Sequence, residues 1–297
     1  MILLLLACVD MEKSLPVKDS VDLPFTCPQF SVPTSLGHVQ YPEAKEISGI
    51  SIDPLTDLIW AHNDSGDVAR IFAFDETGST QEEVYFVNAP VTDWEDMAIG
   101  PAHHSSQAFL YIGDIGDNNQ ERDFIAIIRT PVPVPGQETI EDFDVFYLKY
   151  PDGSHDAEGL IVHPQTAEIY ILTKPSEGGT VLYRPTTPLV GSEPIDLEKI
   201  VEIDLTLFVD DGARLVTGAA FSPDGRTLAM RTYTDVYFFS NEGVLNPDLW
   251  YEGGFCEALS AAEPQGEAIA FSAEGMGYYT ISEGEYPAVN RVSLQYP

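Results

Sequence analysis

Glu267-Ala268-Ile269-Ala270-Phe271 is the last of five copies of one phrase: a polar residue, a small residue, an apolar run and a turn. The earlier copies are Ser48-Gly49-Ile50-Ser51-Ile52, Glu95-Asp96-Met97-Ala98-Ile99, Glu158-Gly159-Leu160-Ile161-Val162 and Thr217-Gly218-Ala219-Ala220-Phe221. The turns that follow the five copies, in chain order, are Asp-Pro, Gly-Pro, His-Pro, Ser-Pro and Ser-Ala. The copies start 47, 63, 59 and 50 residues apart. Such spacing without a helical pattern is typical of propeller-type repeats.

Each copy is followed by further short runs rich in β-branched and aromatic residues, as in Ile169-Tyr170-Ile171. Four strands per repeat predict an all-β fold: a single β-propeller of five four-stranded blades over residues 37–297. Six blades is the alternative, because two of the spacings are long. The last repeat shows only three runs, so a strand around residues 38–41 is predicted to supply the fourth and close the ring.

The chain has 297 residues and a net charge of −34, with 14 Lys and Arg against 48 Asp and Glu. Its apolar fraction of 44% is enough for a packed core, which excludes global disorder. The charge repels phosphate backbones, so we expect no nucleic acid partner. It would attract divalent cations and basic partners. Adaptation to a salty habitat explains the charge equally well.

The first eight residues, Met1-Ile2-Leu3-Leu4-Leu5-Leu6-Ala7-Cys8, end in a sequence that resembles the lipobox of bacterial lipoproteins. The run is short and lacks a basic region, so residues 1–8 are interpreted as the remnant of a signal peptide whose start codon lies upstream. We expect Cys8 to be acylated, with residues 9–36 as a tether and N-terminal extension. This predicts an exported bacterial protein, lipid-anchored to a membrane in the periplasm or at the cell surface. A chance apolar start is the alternative.

Cys27 and Cys256 then remain as an even pair, which predicts one disulfide in an exported chain. Cys27 lies just before the predicted closing strand, and Cys256 follows the outer strand predicted at residues 249–251 of the preceding blade. Both should therefore lie near the same blade junction. Two unrelated buried thiols are the alternative.

The candidate site follows from superposing the repeats, which places the leading polar residues in one ring: Ser48, Glu95, Glu158, Thr217 and Glu267. The second strands end in a column of small polar residues: Asn63, Asp114, Thr173, Thr232 and Ser282. Antiparallel neighbours bring the start of the first strand beside the end of the second, so both columns should meet at the mouth of a central channel. Beyond them come Asp64, Asp117, Asn118, Lys174, Arg231 and Glu283.

Carboxylates that converge with carbonyl and hydroxyl oxygens suit Ca²⁺, which takes about six to eight oxygen ligands. Three neighbouring Glu cannot all stay ionised without a cation or raised pKa values. The predicted metal ligands are Glu95, Glu158, Glu267, Asp114 and Asp117. The predicted contacts to a small polar ligand are Ser48, Asn63, Asp64, Asp114, Lys174, Thr217, Arg231, Thr232 and Ser282. The alternative is that these residues bond only neighbouring strands and channel water.

Several phrases carry a family resemblance: Ile47-Ser48-Gly49-Ile50, Asp93-Trp94-Glu95-Asp96-Met97-Ala98, Gly113-Asp114-Ile115-Gly116-Asp117-Asn118, Asp156-Ala157-Glu158-Gly159-Leu160 and Gln265-Gly266-Glu267-Ala268-Ile269. They resemble exported bacterial β-propellers that have no agreed function. They are similar, more distantly, to SdiA-regulated-type and phytase-like propellers. The phytase-like resemblance implies a calcium-bridged phosphate site, for which this chain offers Lys174 and Arg231 as phosphate contacts.

Two functional hypotheses follow. The first is a lipid-anchored binding propeller whose channel mouth holds a divalent cation, Ca²⁺, a small polar ligand, or both. The alternative is a calcium-dependent phosphoesterase in which Glu95, Glu158 or Glu267 activates a metal-bound water. The sequence contains no nucleophile elbow, zinc-protease helix motif or phosphate-binding glycine loop with lysine, which disfavours the familiar serine hydrolases and zinc enzymes.

Overall fold

The chain is all-β in the computed structural model, which describes residues 26–105, 107–205, 214–240 and 255–296. The first eleven strands are β1 (Gln29–Phe30), β2 (Thr34–His38), β3 (Ile47–Ile52), β4 (Ile59–Asn63), β5 (Arg70–Phe74), β6 (Thr80–Phe86), β7 (Trp94–Pro101), β8 (Ala108–Asp114), β9 (Ile125–Pro131), β10 (Thr139–Ile140) and β11 (Asp144–Lys149). The others are β12 (Ala157–Val162), β13 (Ile169–Thr173), β14 (Thr180–Pro185), β15 (Ile195–Ile203), β16 (Val216–Phe221), β17 (Thr227–Thr232), β18 (Val236–Ser240), β19 (Phe255–Ala258), β20 (Gly266–Phe271), β21 (Gly277–Ser282) and β22 (Ala288–Gln295). No helix among the described residues has the length and apolar character needed to cross a bilayer.

Each copy of the repeated phrase forms the first strand of an antiparallel unit. The units are β3-β4-β5-β6, β7-β8-β9-β11, β12-β13-β14-β15, β16-β17-β18-β19 and β20-β21-β22. A parallel pair between β11 and β15 joins the second and third units into one eight-stranded sheet. The parallel strand β10 extends the first unit at β6. The repeat seen in the sequence is therefore a repeat of strand order.

The five first strands contact one another in cyclic order. Strand β3 packs against β7, β7 against β12, β12 against β16, β16 against β20, and β20 against β3. The apolar core is divided in the same way, into five clusters that each join two consecutive units; Ile127 and Leu160, for example, share the cluster between the second and third units. Apolar residues occur at consecutive positions of a first strand because both of its faces are covered, as in the fully buried strand β12.

The N-terminal strand β2 completes the fifth unit by pairing antiparallel with the last strand, β22, from Thr34 opposite Arg291 to His38 opposite Ala288. The predicted closing strand at 38–41 overlaps β2 only at His38. The prediction is therefore corrected: the closing strand is Thr34–His38, which lies closer to the N-terminus than predicted. Val39 still donates its N–H to Pro287 O at 2.9 Å. The chain then leaves the sheet edge, because Gln40 donates its N–H to Gly78 O at 2.9 Å and the Tyr41 ring packs on Phe72.

The predicted disulfide between Cys27 and Cys256 is confirmed, with their Cα atoms 5.7 Å apart. Cys27 precedes β1, which pairs with the outer edge of β22, and Cys256 lies within β19. The bridge therefore links the outer edges of the fourth and fifth units. The outer strand predicted at residues 249–251 and the predicted acylation site Cys8 lie outside the described residues.

Candidate metal site

Every first strand carries a β-bulge, and its extra residue is the leading polar residue of the phrase. In β3, Ile47 pairs with Asn63 and Gly49 pairs with His62, which leaves Ser48 without a partner. The same register shift leaves four other residues without a partner in the strand ladder: Glu95, Glu158, Thr217 and Glu267. A bulge leaves its extra residue out of the ladder and bends the strand, which redirects the side chain. The phrase therefore encodes five matching bulges at one end of the five strands.

The residue after the bulge is small because neighbouring first strands approach closely there. A Cβ atom added to Gly49 would lie 2.7 Å from the backbone nitrogen of Met97 on β7, and one added to Gly218 would lie 2.6 Å from the carbonyl oxygen of Glu267 on β20. Both distances are too short for real contacts, so these glycines allow the strands to pack.

Asp96 occupies this small-residue position in β7, and its buried carboxylate joins three first strands. It accepts hydrogen bonds from the N–H groups of Met97 at 2.8 Å, Leu160 at 2.9 Å and Ala219 at 3.5 Å. Burial raises the pKa of Asp96 well above its usual value, against the opposing effect of these N–H donors. Asp96 was not among the predicted site residues, although the other four copies have Gly or Ala at this position and the aspartate was therefore a visible signal.

Ser48 and Thr217 use their hydroxyl groups to bind the next first strand. Ser48 donates to the carbonyl oxygen of Glu95, and Thr217 donates to the carbonyl oxygen of Gly266 at 2.8 Å. Both side chains are buried. These two predicted ligand contacts therefore connect neighbouring strands in the structure.

Two groups of three carboxylates share Glu95. Asp64, Asp93 and Glu95 each place an oxygen within 4.8 Å of the other two, and so do Glu95, Asp156 and Glu158. We call these five residues the acidic cluster. Of the five predicted metal ligands, the cluster brings together Glu95 and Glu158, and it adds Asp64, which was predicted as a ligand contact.

Asp93 and Asp156 belong to the acidic cluster although neither was predicted as a site residue. Each stands two positions before a bulge glutamate, in Asp93-Trp94-Glu95 and Asp156-Ala157-Glu158. The same position in the last copy holds Gln265, whose Nε2 donates to Glu267 Oε1 at 3.0 Å. The recurring Asp-x-Glu spacing was therefore the signal that could have identified both aspartates.

Burial and mutual repulsion disfavour ionisation of three members of the acidic cluster, Asp93, Glu95 and Glu158. Burial is the largest cause of the raised pKa of Glu95, followed by the charges of Glu158 and Asp64. Burial, with the charges of Asp64 and Asp156, raises the pKa of Asp93 to about 6. Among the described residues, no hydrogen-bond donor reaches the carboxylate of Glu95. The cluster thus concentrates carboxylates whose charge the protein compensates only in part, since Lys174 pairs with Glu158 but no described donor reaches Glu95.

Lys174 and Glu267 lie beside the acidic cluster. The Lys174 Nζ atom is 2.7 Å from Glu158 Oε1 and 4.9 Å from the centre of the Tyr233 ring. Burial raises the pKa of Glu267 to about 7. Its Oε2 atom is buried and has no hydrogen-bond partner among the described residues, while its charge contributes to the raised pKa of Glu158.

Asp114 and Asp117, the other two predicted metal ligands, hold the loop that follows β8. Asp114 Oδ1 lies 2.8 Å from Arg122 Nη2, and its carboxylate accepts the N–H groups of residues 92 and 93. Asp117 accepts the N–H groups of residues 121 and 122 and donates its own N–H to Asp156 Oδ1 at 2.8 Å. The loop thereby positions Asp93 and Asp156, and the backbone of Gly116 lies so close to Glu95 and Asp93 that any Cβ there would collide with their carboxylates.

The remaining members of the second column bond nearby backbone groups. The bonds are Asn63 Nδ2 to Glu43 O at 2.7 Å, Val181 N to Thr173 Oγ1 at 2.9 Å, Asp235 N to Thr232 Oγ1 at 3.0 Å, and Gln265 N to Ser282 Oγ at 3.0 Å. This column fixes the loops around the site.

Arg231, predicted to contact a ligand, is completely buried. Its guanidinium donates to Ala268 O at 2.8 Å and forms an ion pair with Glu263. Glu263 in turn accepts hydrogen bonds from Thr280 at 2.8 Å and Asn290 at 2.6 Å. Arg231 is thus part of an internal ion-pair network between the fourth and fifth units.

The chain matches no protein-family model and no curated protein. The chemistry open to the site therefore follows from its geometry: buried carboxylates that share Glu95, one lysine, and an unpartnered oxygen of Glu267.

Proposed function

We propose that this protein is a five-bladed β-propeller that binds a divalent cation, with Ca²⁺ the expected ion, at the acidic end of its central axis. The propeller is supported by the five four-stranded units, the cyclic contacts of their first strands and the pairing of β2 with β22. Ring closure packs the first unit against the fifth, so that their apolar faces are buried and only short, protected sheet edges remain.

The acidic cluster fits Ca²⁺ in spacing and in ligand type. Oxygens bind Ca²⁺ at about 2.3–2.6 Å, so two ligands of one ion lie no more than about 5 Å apart. Every pair within each group of three meets this condition, since all lie within 4.8 Å. Each group supplies three side chains, while Ca²⁺ takes about six to eight oxygens. The remaining positions are open to water or to oxygens of a small polar ligand.

Two groups of carboxylates share buried Glu95, and the carboxylate of Glu95 itself accepts no hydrogen bond from a described residue. This observation carries the proposal. A second observation is independent of it: Glu267, 3% exposed, leaves Oε2 unpartnered near Glu158. Buried charged groups without a partner are costly, and a cation bound by Glu95 removes that cost there and lowers it for Glu267 through its positive charge.

The second candidate function is a calcium-dependent phosphoesterase. It is favoured by Glu267, because a carboxyl with a pKa of about 7 is suited to general-base chemistry near neutral pH. Against it, Lys174 is paired with Glu158 and Arg231 with Glu263, so both predicted phosphate contacts are engaged. Turnover of p-nitrophenyl phosphate or phytate with added Ca²⁺ that is lost in Glu158→Gln would establish that the protein is a calcium-dependent phosphoesterase.

Thermal melting tests the cation proposal. At a hundred times its dissociation constant, an ion that binds only the folded state adds about 2.7 kcal/mol, so Ca²⁺ should raise the melting temperature relative to EDTA at fixed ionic strength. The rise should disappear in Glu95→Gln and persist in Glu141→Gln, which makes the same charge change at an exposed position. Superimposable wild-type curves with Ca²⁺ and EDTA would rule the site out.

We further propose that the protein is exported and anchored to a membrane by an acylated Cys8. The Cys27–Cys256 disulfide supports an oxidising compartment. Fractionation of native cells tests the anchor: wild-type protein should be found with membranes and Cys8→Ser in the soluble fraction. A wild-type chain that is wholly soluble, with residues 1–8 intact, would contradict it.

A further inference from the structure

The ends of the five first strands line a cavity of about 500 Å³ at the opposite end from the acidic cluster. We call it the neutral cavity. All five strands contribute, because its wall includes Ile52 of β3, Ile99 of β7, Val162 of β12, Phe221 of β16 and Phe271 of β20. Its volume lies within the range of about 300–1,000 Å³ that is usual for small-molecule sites.

No described residue that lines the neutral cavity is charged. The chain as a whole is 21% charged and carries a net charge of −34, so an uncharged wall of this size departs from the rest of the molecule. A charged ligand entering it would lose hydration without gaining a countercharge. The wall therefore selects against ions, and the net charge of the protein adds further repulsion for anions.

The turns that end the repeated phrase form the rim of the neutral cavity. The five equivalent rim residues are Pro54, Pro101, Pro164, Pro223 and Ala273. Proline fixes its backbone φ angle and has no N–H, so four of the five turns present a stiff, apolar edge. The recurrence of Pro two residues after the apolar run therefore has a spatial counterpart.

Small residues create the space inside. Ala98, Ala219, Ala220 and Ala270 line the wall at positions where larger apolar residues would be compatible with a strand. Phe221 and Phe271 supply aromatic surface beside them. Sites for small molecules typically combine such an apolar wall with a few placed polar groups.

Ser51 supplies one such polar group. Its Oγ accepts the N–H of Ile99 at 2.9 Å, which fixes the hydroxyl between β3 and β7. The hydroxyl proton bonds no acceptor among the described residues. It is therefore available to an oxygen or nitrogen acceptor on a bound molecule.

We propose that the neutral cavity is a second binding site, for a small uncharged molecule that is largely apolar and carries one hydrogen-bond acceptor. The site uses none of the residues of the acidic cluster, so it stands independently of cation binding. One ligand occupies one cavity per chain.

Fluorescence titration with the neutral probe 6-propionyl-2-(dimethylamino)naphthalene, whose ketone oxygen is a hydrogen-bond acceptor, tests the site in the full-length protein. We expect a saturable rise in emission with one probe per chain. Ala220→Trp, which fills the cavity, should weaken binding at least tenfold, whereas Val190→Trp at an exposed position should bind as the wild type does. The anionic naphthalene probe 8-anilinonaphthalene-1-sulfonate should bind at least tenfold more weakly than the neutral probe.

No saturable binding, equal binding by folded Ala220→Trp, or equal affinity for the anionic probe would overturn the proposal. Circular dichroism establishes whether Ala220→Trp is folded. If it is not, a crystal of wild-type protein soaked with the neutral probe decides: density in the neutral cavity supports the proposal, and density elsewhere or nowhere contradicts it.

Discussion

The two ends of the same five strands differ completely in chemistry. At their starts, the bulges and the loops around them bring together Asp64, Asp93, Glu95, Asp156 and Glu158. At their ends, alanine, proline and phenylalanine line the uncharged neutral cavity. The difference follows from the order of the repeated phrase, which places its polar residue first and its apolar run last. Five strands that run in the same direction turn this order within the sequence into two chemically different regions in space.

Asp96 lies at the boundary between the two ends. Its carboxylate accepts N–H groups from three first strands and is 1% exposed. It therefore ties the strands together below the acidic cluster, and the two ends share this one framework.

The largest effect is expected from removing the disulfide between Cys27 and Cys256. The disulfide closes a loop of 229 residues, and in the loop-entropy model it stabilises the fold by roughly 5 kcal/mol. Cys256→Ser should lower the free energy of unfolding by several kcal/mol in urea titrations and weaken ligand binding at both ends together. An unchanged unfolding midpoint would show that neither end depends on the bridge.

Asp96→Ala is expected to cost about 3 kcal/mol, because it leaves buried N–H donors on three strands without an acceptor. Asp123→Ala, at an exposed position, is the matched control and should change stability by less than about 0.5 kcal/mol. Equal unfolding free energies for the two variants would mean that Asp96 does not join the strands.

The acidic end should respond to pH, and the neutral end should not. The pKa of Glu267 is raised from 4.5 to about 7, and that of Asp93 from 3.8 to about 6, mainly by burial. A raised carboxyl pKa means that these groups favour folding while protonated and lose that contribution as the pH rises through about 6 to 7. If the proposed site binds Ca²⁺, the ion would favour the ionised carboxylates and offset the loss. The rise in melting temperature with Ca²⁺ should therefore be larger at pH 8 than at pH 5, and equal rises would contradict this reading.

The smallest expected effect is the one that separates the two sites. Ala220→Trp should leave the Ca²⁺ affinity unchanged, and Glu95→Gln should leave binding of the neutral probe unchanged, each within about 0.5 kcal/mol. Titrations of both variants with both ligands form a complete cycle. A coupling larger than this would show that the ends communicate through the shared strands.

The repeat made much of the fold predictable. Short β-branched runs after each phrase predicted the all-β architecture, and the expected junction of two units predicted the disulfide. The closing strand was misplaced because Thr34-Ser35-Leu36-Gly37-His38 has weak strand propensity of its own, and its place is set by pairing with β22.

The candidate site was predicted only in outline. Glu95 and Glu158 follow from the phrase, but the phrase does not reveal that a bulge turns them towards Asp93 and Asp156. Arg231 and the second column were selected as polar residues near the channel mouth, whereas their partners come from loops and strands distant in sequence. Spacing along the chain identifies which end a residue occupies, and side-chain contacts decide what it does there.

Calorimetric titration of Ca²⁺ into metal-free protein at pH 8, with Glu95→Gln and Glu141→Gln alongside, tests the acidic end most directly. We predict saturable binding to the wild type and to Glu141→Gln, and a loss of at least tenfold in affinity for Glu95→Gln. Absence of binding to the wild type, or equal affinity in all three proteins, would show that the shared carboxylates around Glu95 do not form a metal site.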